Sequence, residues 1–286
     1  MIICLTGPTG IGKTKLSIML AQKYNAIIVN ADATQIYQEL NIGSSKITCS
    51  EMQGIKHYLI DIKNPNEDYS VCDFQKDARK IISENPNQNI IVVGGTGLYL
   101  KSLFYDYQFA PQKENNYEQY SNEELYELVN LKNPNHNIHP NNRRRLINCL
   151  NNDNQTSNKD QLLYDNVIFI GLTLERSLLY ELINKRVDLM VESGLEEEVR
   201  TLYQKYPESN ILKRAIGYKE MIMYFNQELN YNDAIDLIKK NTRHYVKRQY
   251  TWFNNQMNLN WFNVDINNFN NTYEEIICFI ESLNSK

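Results

Sequence analysis

The sequence predicts an α/β fold: a doubly wound parallel sheet with a small, mainly helical insertion and a helical C-terminal part. Short, continuously apolar segments recur between stretches with helical spacing, a pattern typical of strands that are buried on both faces of a parallel sheet. The first apolar segment, residues 1–6, leads directly into a glycine-rich loop. A chain of 286 residues is long enough for one large domain or for a core domain that carries an insertion.

The glycine-rich loop is the strongest local signal in the chain. Residues 7–14 read Gly-Pro-Thr-Gly-Ile-Gly-Lys-Thr, which matches the phosphate-binding pattern G-x-x-x-x-G-K-[ST]. Glycines let successive backbone N–H groups surround a phosphate, the lysine adds a point charge, and the Thr14 hydroxyl can ligate Mg²⁺. The loop therefore predicts a P-loop NTPase-like core that binds a di- or triphosphate. The predicted diphosphate-binding residues are Gly7, Thr9, Gly10, Ile11, Gly12, Lys13 and Thr14.

The elements that follow alternate between helix and strand. The predicted helices in this part are 13–24, 71–84 and 98–104, and the predicted strands are 26–30, 89–93 and a weaker one at 58–62. Apolar residues in the segment 71–84 recur at helical spacing, whereas those in 26–30 and 89–93 form continuous runs. We therefore assign residues 1–108 to the first part of the α/β core.

Residues 109–166 interrupt the alternation of predicted strands and helices. This segment is polar, holds one helix candidate at 122–131, and contains a loop at 151–160 that is rich in Asn and Asp. We predict that it forms an inserted helical subdomain. Residues 167–286 complete the core with a strand at 167–173 and continue with helices at 174–193, 195–205, 219–225 and 233–256.

Two predicted strands end in polar groups. Asp32 follows the strand 26–30, and Thr96 lies in the Gly-Gly-Thr-Gly turn after the strand 89–93. Because ligands bind at the carboxyl ends of parallel strands, Lys13, Asp32 and Thr96 are expected to meet in one cleft. Asp32 is a candidate Mg²⁺ ligand or general base, although a turn aspartate would look the same in sequence. The three glycines around Thr96 suggest that a ligand approaches the turn closely.

ATP hydrolysis is not the natural interpretation of this core. An ordinary ATPase of this architecture carries an Mg²⁺-binding aspartate at the end of an apolar strand, but the strand 89–93 ends in Gly-Gly-Thr. Asp61 could replace that aspartate, at the end of the weaker strand. A substrate whose whole diphosphate leaves fits the loop better.

Composition limits the classes further. The five cysteines are scattered and form no C-x-x-C pair, which predicts free, mostly buried thiols in a reducing cytosol. We find no signal peptide and no apolar run of about 18 residues. A cytoplasmic protein without membrane contact is therefore expected, and we expect a monomer.

The net charge is −4, but basic residues cluster locally. No acidic residue lies between Leu237 and Val264, and the predicted helix there carries Arg243, Lys247 and Arg248. Its apolar stripe is expected to comprise Ala234, Ile238, Tyr245 and Trp252. Further clusters are Arg143 to Arg145, and Arg214 with Lys219. Any one cluster could be a solvated face, but three of them with interleaved aromatic residues favour contact with a nucleic acid.

The motifs together resemble the tRNA dimethylallyltransferases (tRNA isopentenyltransferases) of the bacterial type. The resemblance extends over most of the chain, and its more specific motifs follow the phosphate loop. These are 30–37 (Asn-Ala-Asp-Ala-Thr-Gln-Ile-Tyr), 94–99 (Gly-Gly-Thr-Gly-Leu-Tyr), 215–220 (Ala-Ile-Gly-Tyr-Lys-Glu) and 242–253 (Thr-Arg-His-Tyr-Val-Lys-Arg-Gln-Tyr-Thr-Trp-Phe).

The resemblance implies an activity and a set of site residues. The activity is transfer of a dimethylallyl group from dimethylallyl diphosphate to the exocyclic N6 amine of the adenosine 3′-adjacent to the anticodon in tRNA. Asp32 would be the general base, Thr96 would hydrogen-bond at the reacting centre, and Thr14 would hold Mg²⁺. The segments matched to tRNA contacts contain Asp32, Ala33, Thr34, Gln35, Arg144, Arg145, Arg214 and Lys219; the basic helix adds Arg243, Lys247 and Arg248.

Three alternatives stay open at this point. A small-molecule P-loop kinase would turn over ATP and would need no basic helix. A free-adenylate isopentenyltransferase would prenylate a nucleotide instead of tRNA. A tRNA-binding protein without activity would bind in a salt-sensitive way and form no product.

Overall fold

The computed structural model describes residues 1–109, 117–151 and 161–284. Most of the predicted loop 151–160 lies outside these residues. The chain divides into two compact units. One comprises Met1–Phe104 together with Tyr164–Lys286, and the other comprises Tyr105–Leu163. The predicted insertion, 109–166, has bounds close to those of the second unit.

The first unit is built on a six-stranded sheet. Its strands are β1 (Ile2–Thr6), β2 (Ala26–Asn30), β3 (His57–Tyr58), β4 (Asn89–Val93), β5 (Val167–Thr173) and β6 (Asn260–Asn263). Their order is β3-β2-β4-β1-β5-β6, and every neighbouring pair is parallel. The prediction of a parallel α/β sheet is therefore confirmed. Because β2, β4 and β1 are neighbours, the loops at their carboxyl ends lie side by side.

Helices complete both units. Those of the first unit are α1 (Lys13–Tyr24), α2 (Val71–Glu84), α3 (Gly97–Phe104), α6 (Arg176–Glu192), α7 (Leu195–Lys205), α8 (Tyr218–Phe225), α9 (Tyr231–Gln256) and α10 (Phe269–Asn284); those of the second are α4 (Asn122–Lys132) and α5 (Arg143–Asn151). The predicted bounds of α1, β2, α2, β4, β5 and α7 are confirmed.

These elements form for identifiable local reasons. Ser70 begins α2 with a capping box, in which its hydroxyl accepts from the Asp73 N–H at 3.2 Å and the Asp73 carboxylate accepts from the Ser70 N–H at 2.9 Å. This exchange satisfies two backbone donors that the first helical turn leaves unpaired. In the central strands, Val29 and Ile91 are fully buried, as expected where helices cover both faces of a sheet.

Several predictions are wrong. Of the strand predicted at 58–62, only Tyr58 lies in a strand, the two-residue β3. Leu59 and Asp61 have φ angles of 61° and 56°, which lie outside the strand conformation. The two short elements β6 and α5, together with α10, were not predicted. The cysteines are all free, as expected, but only Cys4 is buried, whereas Cys49 and Cys278 are exposed.

Within the described residues, no helix is long and apolar enough to cross a membrane.

The second unit has a small core of its own, formed by Leu125, Val129 and Leu146. Arg143 supports it, since its guanidinium donates to the carbonyls of Tyr117 and Tyr120 at 2.6 Å each. The next two residues, Arg144 and Arg145, are exposed on α5. Within the arginine cluster, Arg143 therefore has a structural role, and its two neighbours face solvent.

Candidate active site

The glycine-rich loop joins β1 to α1 and takes a shape that only glycine allows at two points. Gly7 has a φ of 141°, and a Cβ there would lie 2.7 Å from the Leu172 carbonyl oxygen. Gly12, which precedes the first residue of α1, has a φ of 98°, a left-handed conformation that is unfavourable for residues with a side chain. The Ile11 side chain is buried in the core, so only its backbone is available to a ligand. The N-terminus of α1 is thereby open to an anion.

Lys13 is folded back onto its own loop. Its ammonium donates to the carbonyls of Gly7 at 2.9 Å and Pro8 at 2.7 Å. Burial lowers the pKa of Lys13 to about 7, with the Asp32 carboxylate acting in the opposite direction and Arg186 adding to the decrease. Lys13 is therefore close to its pKa at neutral pH, and an anion bound beside it would favour its charged form.

Asp32 follows β2 and has two partners in its own turn. Its Oδ1 accepts from the N–H of Thr34 at 2.9 Å and from that of Gln35 at 3.4 Å. The turn interpretation of this aspartate is thus correct for one carboxylate oxygen. The same side chain also lines two cavities and influences the pKa of Lys13 and Arg186, so the turn does not exclude a chemical role.

Thr96 connects the turn after β4 to the turn after β2. Its hydroxyl oxygen accepts from the Ala33 N–H at 3.1 Å, and its own N–H donates to the Ala31 carbonyl at 3.3 Å. The Tyr245 side chain on α9 also faces Thr96; burial and the Asp32 charge raise the pKa of Tyr245, and the hydrogen bond to Thr96 opposes this. Thr96 is therefore tied to the residue that follows Asp32, and both side chains line the same cavity.

Two cavities meet at this point. The larger one, of about 620 Å³, is lined by the phosphate-loop residues from Thr9 to Thr14 except Ile11 and by Asp32. The smaller one, of about 320 Å³, is lined by Asp32, Thr96 and Tyr245. Thr9, Asp32, Ser44 and Arg186 contribute to both. The phosphate-loop cavity and a second chamber thus share one carboxylate.

The segment 41–44 is held in place by hydrogen bonds to α7. The Glu198 carboxylate accepts from the backbone N–H groups of Asn41, Ile42 and Gly43 at 2.7–3.0 Å. It also accepts from the Tyr218 hydroxyl at 2.7 Å. These bonds fix the segment that leads to Ser44, which lines both cavities.

The residues predicted to contact tRNA are distributed over the two cavities, α9 and α5. Ala33, Thr34, Arg214, Lys219 and Arg248 line the smaller cavity, whereas Gln35 lines the larger one. Lys247 is exposed on α9. Arg243 is only half-buried and donates to Asn184 Oδ1 at 2.7 Å, so its guanidinium is partly used inside the first unit.

Three residues at the site were not predicted. Arg186 on α6 lines both cavities; burial lowers its pKa and the Asp32 charge opposes that decrease. Tyr245 and Gln249 come from α9 and face the Thr96 turn. All three lie in the part of the chain that the resemblance covers. Only the fold shows that Arg186 and Tyr245 lie near Asp32 and that Gln249 contacts the Thr96 turn.

The predicted stripe of α9 also needs correction. The residues of α9 that are buried are Ala234, Ile238, Val246, Gln249 and Phe253. Tyr245 and Trp252 are only partly buried. Helical spacing thus predicted Ala234 and Ile238 correctly. It missed the buried Val246 and Phe253, and it missed the buried polar side chain of Gln249.

The donor set fits a hard cation bound together with a phosphate. Thr14 and Asp32 line the same cavity and offer oxygen ligands, which Mg²⁺ prefers. Among the described residues there is no group of three or more His, Cys, Asp or Glu that could hold a metal alone. Substrate phosphates and waters would complete the shell, as is usual for Mg²⁺. Asp61 does not fill that place, because it pairs with Lys46 and lines neither cavity.

Fold and site together define a P-loop enzyme in which the cavity of the phosphate loop and a second chamber share Asp32. The family model for IPP transferase matches residues 35–256. The chain is 44% identical to the tRNA dimethylallyltransferase of Anoxybacillus flavithermus, over 98% of this chain and 96% of that protein. It is 40% identical to the one of Bacillus pumilus, over 98% and 95%. The chain therefore belongs to the tRNA dimethylallyltransferase family.

Solved structures agree with this membership. The full-length tRNA isopentenylpyrophosphate transferase of Bacillus halodurans matches with a TM-score of 0.77 and 38% identity, covering 98% of this chain and 95% of that one. A eukaryotic dimethylallyltransferase described as acting on tRNA matches with a TM-score of 0.78 and 25% identity, over 92% and 73%. The P-loop α/β fold is thus shared with these enzymes.

Proposed function

We propose that this protein transfers the dimethylallyl group of dimethylallyl diphosphate to the N6 amine of the adenosine 3′-adjacent to the anticodon in tRNA. The observation that carries the proposal is the pair of cavities that share Asp32. One has the lining that a diphosphate requires, and the other is lined by Arg214, Lys219 and Arg248, which suit a nucleic-acid backbone. The family membership supports the same reaction.

The proposed reaction begins with a weak nucleophile. The lone pair of N6 is delocalised into the adenine ring, so attack on C1 of the allyl group needs both a stabilised leaving group and a base. As the N6–C1 bond forms, the C1–O bond breaks and its electron pair leaves with the diphosphate. Asp32 takes the N6 proton, and Thr96 supports the reacting amine from its position beside Asp32.

The leaving diphosphate would be stabilised by the phosphate loop. Its N–H groups, Lys13 and Arg186 act on the charge that develops on the bridging oxygen. Mg²⁺, held by Thr14, would neutralise further charge on the phosphates when it is bound. The adenine must leave its stack to reach the chamber beside Asp32, as in other enzymes that act on a base.

The tRNA contacts are proposed on both units. Arg144 and Arg145 are exposed on α5 of the second unit, and Lys247 and Arg248 are exposed on α9 of the first. Residues 109–166 would then be a tRNA-contacting subdomain. With tRNA as its substrate, the protein would act in the cytoplasm, and we propose that it acts as a monomer.

The deciding experiment uses radiolabelled dimethylallyl diphosphate, Mg²⁺ and three acceptors: unmodified tRNA, AMP and ADP. Label on tRNA alone is expected. Label on AMP or ADP would instead indicate a free-adenylate isopentenyltransferase. Label on none of them would contradict the proposal, and ATP turnover or salt-sensitive tRNA binding without product would then identify a kinase or an inactive binder.

Reversing two charges on α9 is expected to weaken tRNA binding. Lys240 and Lys247 are both exposed and lie seven residues apart, on one face of the helix. In the Lys240→Glu, Lys247→Glu variant, the negative slope of the log association constant for tRNA against log salt concentration should become less steep by about two. This is about one for each lost phosphate contact. Filter binding at several salt concentrations measures this.

A matched control changes the net charge by the same amount elsewhere. Lys76 and Lys80 are exposed on α2, and the Lys76→Glu, Lys80→Glu variant should bind tRNA with the slope of the unchanged protein. If the two double variants behave alike, the basic face of α9 is only a solvated surface and does not contact tRNA.

Binding of dimethylallyl diphosphate is expected to take up a proton above neutral pH. The pKa of Lys13 is lowered to about 7, so at pH 8 its amine is mostly neutral in the free protein. A bound diphosphate favours the ammonium form, and binding at pH 8 should therefore be accompanied by proton uptake. For the same reason, affinity should fall as the pH rises from 7 to 9.

Titration calorimetry without tRNA, in buffers that differ in ionisation enthalpy, measures the uptake. The Lys13→Arg variant is the control, because its guanidinium stays charged. The difference between the two proteins removes the contribution of the ligand's own ionisation. Equal proton uptake by both at pH 8 would show that Lys13 is already charged in the free protein.

A further inference from the structure

The buried side chain of Gln249 connects the phosphate loop to the turn that carries Thr96, two loops that are far apart in sequence. Its Oε1 accepts from the Thr9 N–H at 3.2 Å, and its Nε2 donates to the Gly95 carbonyl at 2.9 Å. Gln249 is only 5% exposed. One amide group therefore spans from the phosphate loop after β1 to the turn that carries Thr96 after β4.

The glycines of that turn pack closely against other parts of the protein, and two of them pack against α9. A Cβ at Gly95 would lie 2.4 Å from Gln249 Nε2, and one at Gly97 would lie 2.2 Å from the Trp252 ring. A Cβ at Gly94 would lie 2.2 Å from the Ala31 carbonyl oxygen. Protein atoms thus lie where a Cβ would be at each of these glycines, which is sufficient reason for glycine there. Gly94 also lines the larger cavity, and the approach of a ligand to this turn stays a prediction.

The two loops that Gln249 joins hold the two halves of the proposed reaction. The phosphate loop would position the C1–O bond of the prenyl diphosphate, and the turn with Thr96 would position the acceptor amine beside Asp32. The distance between the reacting atoms depends on the distance between these loops. An error of about 1 Å in such a distance can cost about 10²-fold in rate.

We infer that Gln249 is a positioning residue, which fixes the phosphate loop against the Thr96 turn through its paired hydrogen bonds. We call this pair of hydrogen bonds, to Thr9 and Gly95, the clamp. The residue acts through these two loops and touches neither substrate. Its placement on α9, directly after the basic residues Lys247 and Arg248, also connects this clamp to the helix proposed to contact tRNA. The clamp itself follows from the contacts, whereas its effect on rate rests on the proposed function.

The test compares two buried glutamines. Gln249→Met keeps the length of the side chain and removes both hydrogen bonds. Gln75→Met is the control, because Gln75 is 8% exposed, donates to the Ser102 carbonyl at 2.7 Å, and lines neither cavity. Both variants should lose similar stability, so thermal unfolding separates a general loss of packing from a specific effect.

The first readout does not depend on the reaction. Amide hydrogen exchange at Thr9 should become about tenfold faster in Gln249→Met, because the N–H loses its buried acceptor, and should stay unchanged in Gln75→Met. Equal exchange at Thr9 in both variants and the unchanged protein would overturn the clamp, whether or not the protein transfers a prenyl group.

The second readout tests the consequence for catalysis. In single turnover with saturating substrates, Gln249→Met should transfer the prenyl group about 10–100 times more slowly, while its Kd for tRNA and that of Gln75→Met stay unchanged. A rate equal to that of Gln75→Met would overturn the positioning role. If the unchanged protein transfers nothing, the proposed function fails, and the exchange result still decides the clamp.

Discussion

Replacing Asp32 with asparagine is expected to slow prenyl transfer by about 10²–10⁴-fold, the contribution of a well-placed general base. Asparagine is the sharpest substitution, because its side-chain oxygen can still accept from the N–H groups of Thr34 and Gln35. The turn after β2 is thereby kept, and only the ability to accept the N6 proton is lost. Single-turnover transfer to tRNA with saturating dimethylallyl diphosphate measures the change.

Ligand binding separates the base from a structural role. At pH 6, below the pKa of about 7 for Lys13, and without Mg²⁺, the Asp32→Asn variant should bind dimethylallyl diphosphate no more weakly than the unchanged protein, since a negative charge near the phosphates is removed. Asp236→Asn, at an exposed position on α9, makes the same chemical change away from the cavities and should leave the rate unchanged. An Asp32→Asn variant with the unchanged rate would eliminate Asp32 as the base.

The sheet and most helices could be predicted because their signals are local. A continuous apolar run such as 89–93 and a capping residue such as Ser70 act within a few residues of the chain. The exceptions lack those signals. The segment 58–62 is apolar, but Leu59 and Asp61 have positive φ angles that its composition does not reveal. Strand β6 reads Asn-Trp-Phe-Asn and pairs with β5 at the edge of the sheet.

The site divides in the same way. Residues in loops at strand ends, such as Lys13, Asp32 and Thr96, could be proposed as a group, because parallel strands align their carboxyl ends. Arg186 and Gln249 reach the same place from α6 and α9, which are far away in sequence, and helical spacing alone cannot show what a buried polar side chain contacts. Gln249 looks like one interruption in an apolar stripe until its two partners are identified.

Replacing Lys13 with methionine is expected to have the second large effect on prenyl transfer. The Lys13 ammonium both donates to two carbonyls of the loop and supplies a positive charge for the diphosphate. In Lys13→Met the charge is lost and the carbonyls of Gly7 and Pro8 lose their donor, so both the leaving group and the loop are affected.

We expect kcat/KM for dimethylallyl diphosphate to fall by about 10²–10³-fold, the usual cost of removing one preorganised donor from a developing anion. Steady-state transfer to tRNA measures this. Lys23→Met, on the last turn of the same helix with its ammonium 3.3 Å from Glu281, is the matched control and should retain the full rate. Arginine at position 13 keeps the charge but not the length, so partial activity in Lys13→Arg would assign most of the loss to charge. Full activity in Lys13→Met would mean that the backbone N–H groups and Arg186 stabilise the leaving diphosphate without it.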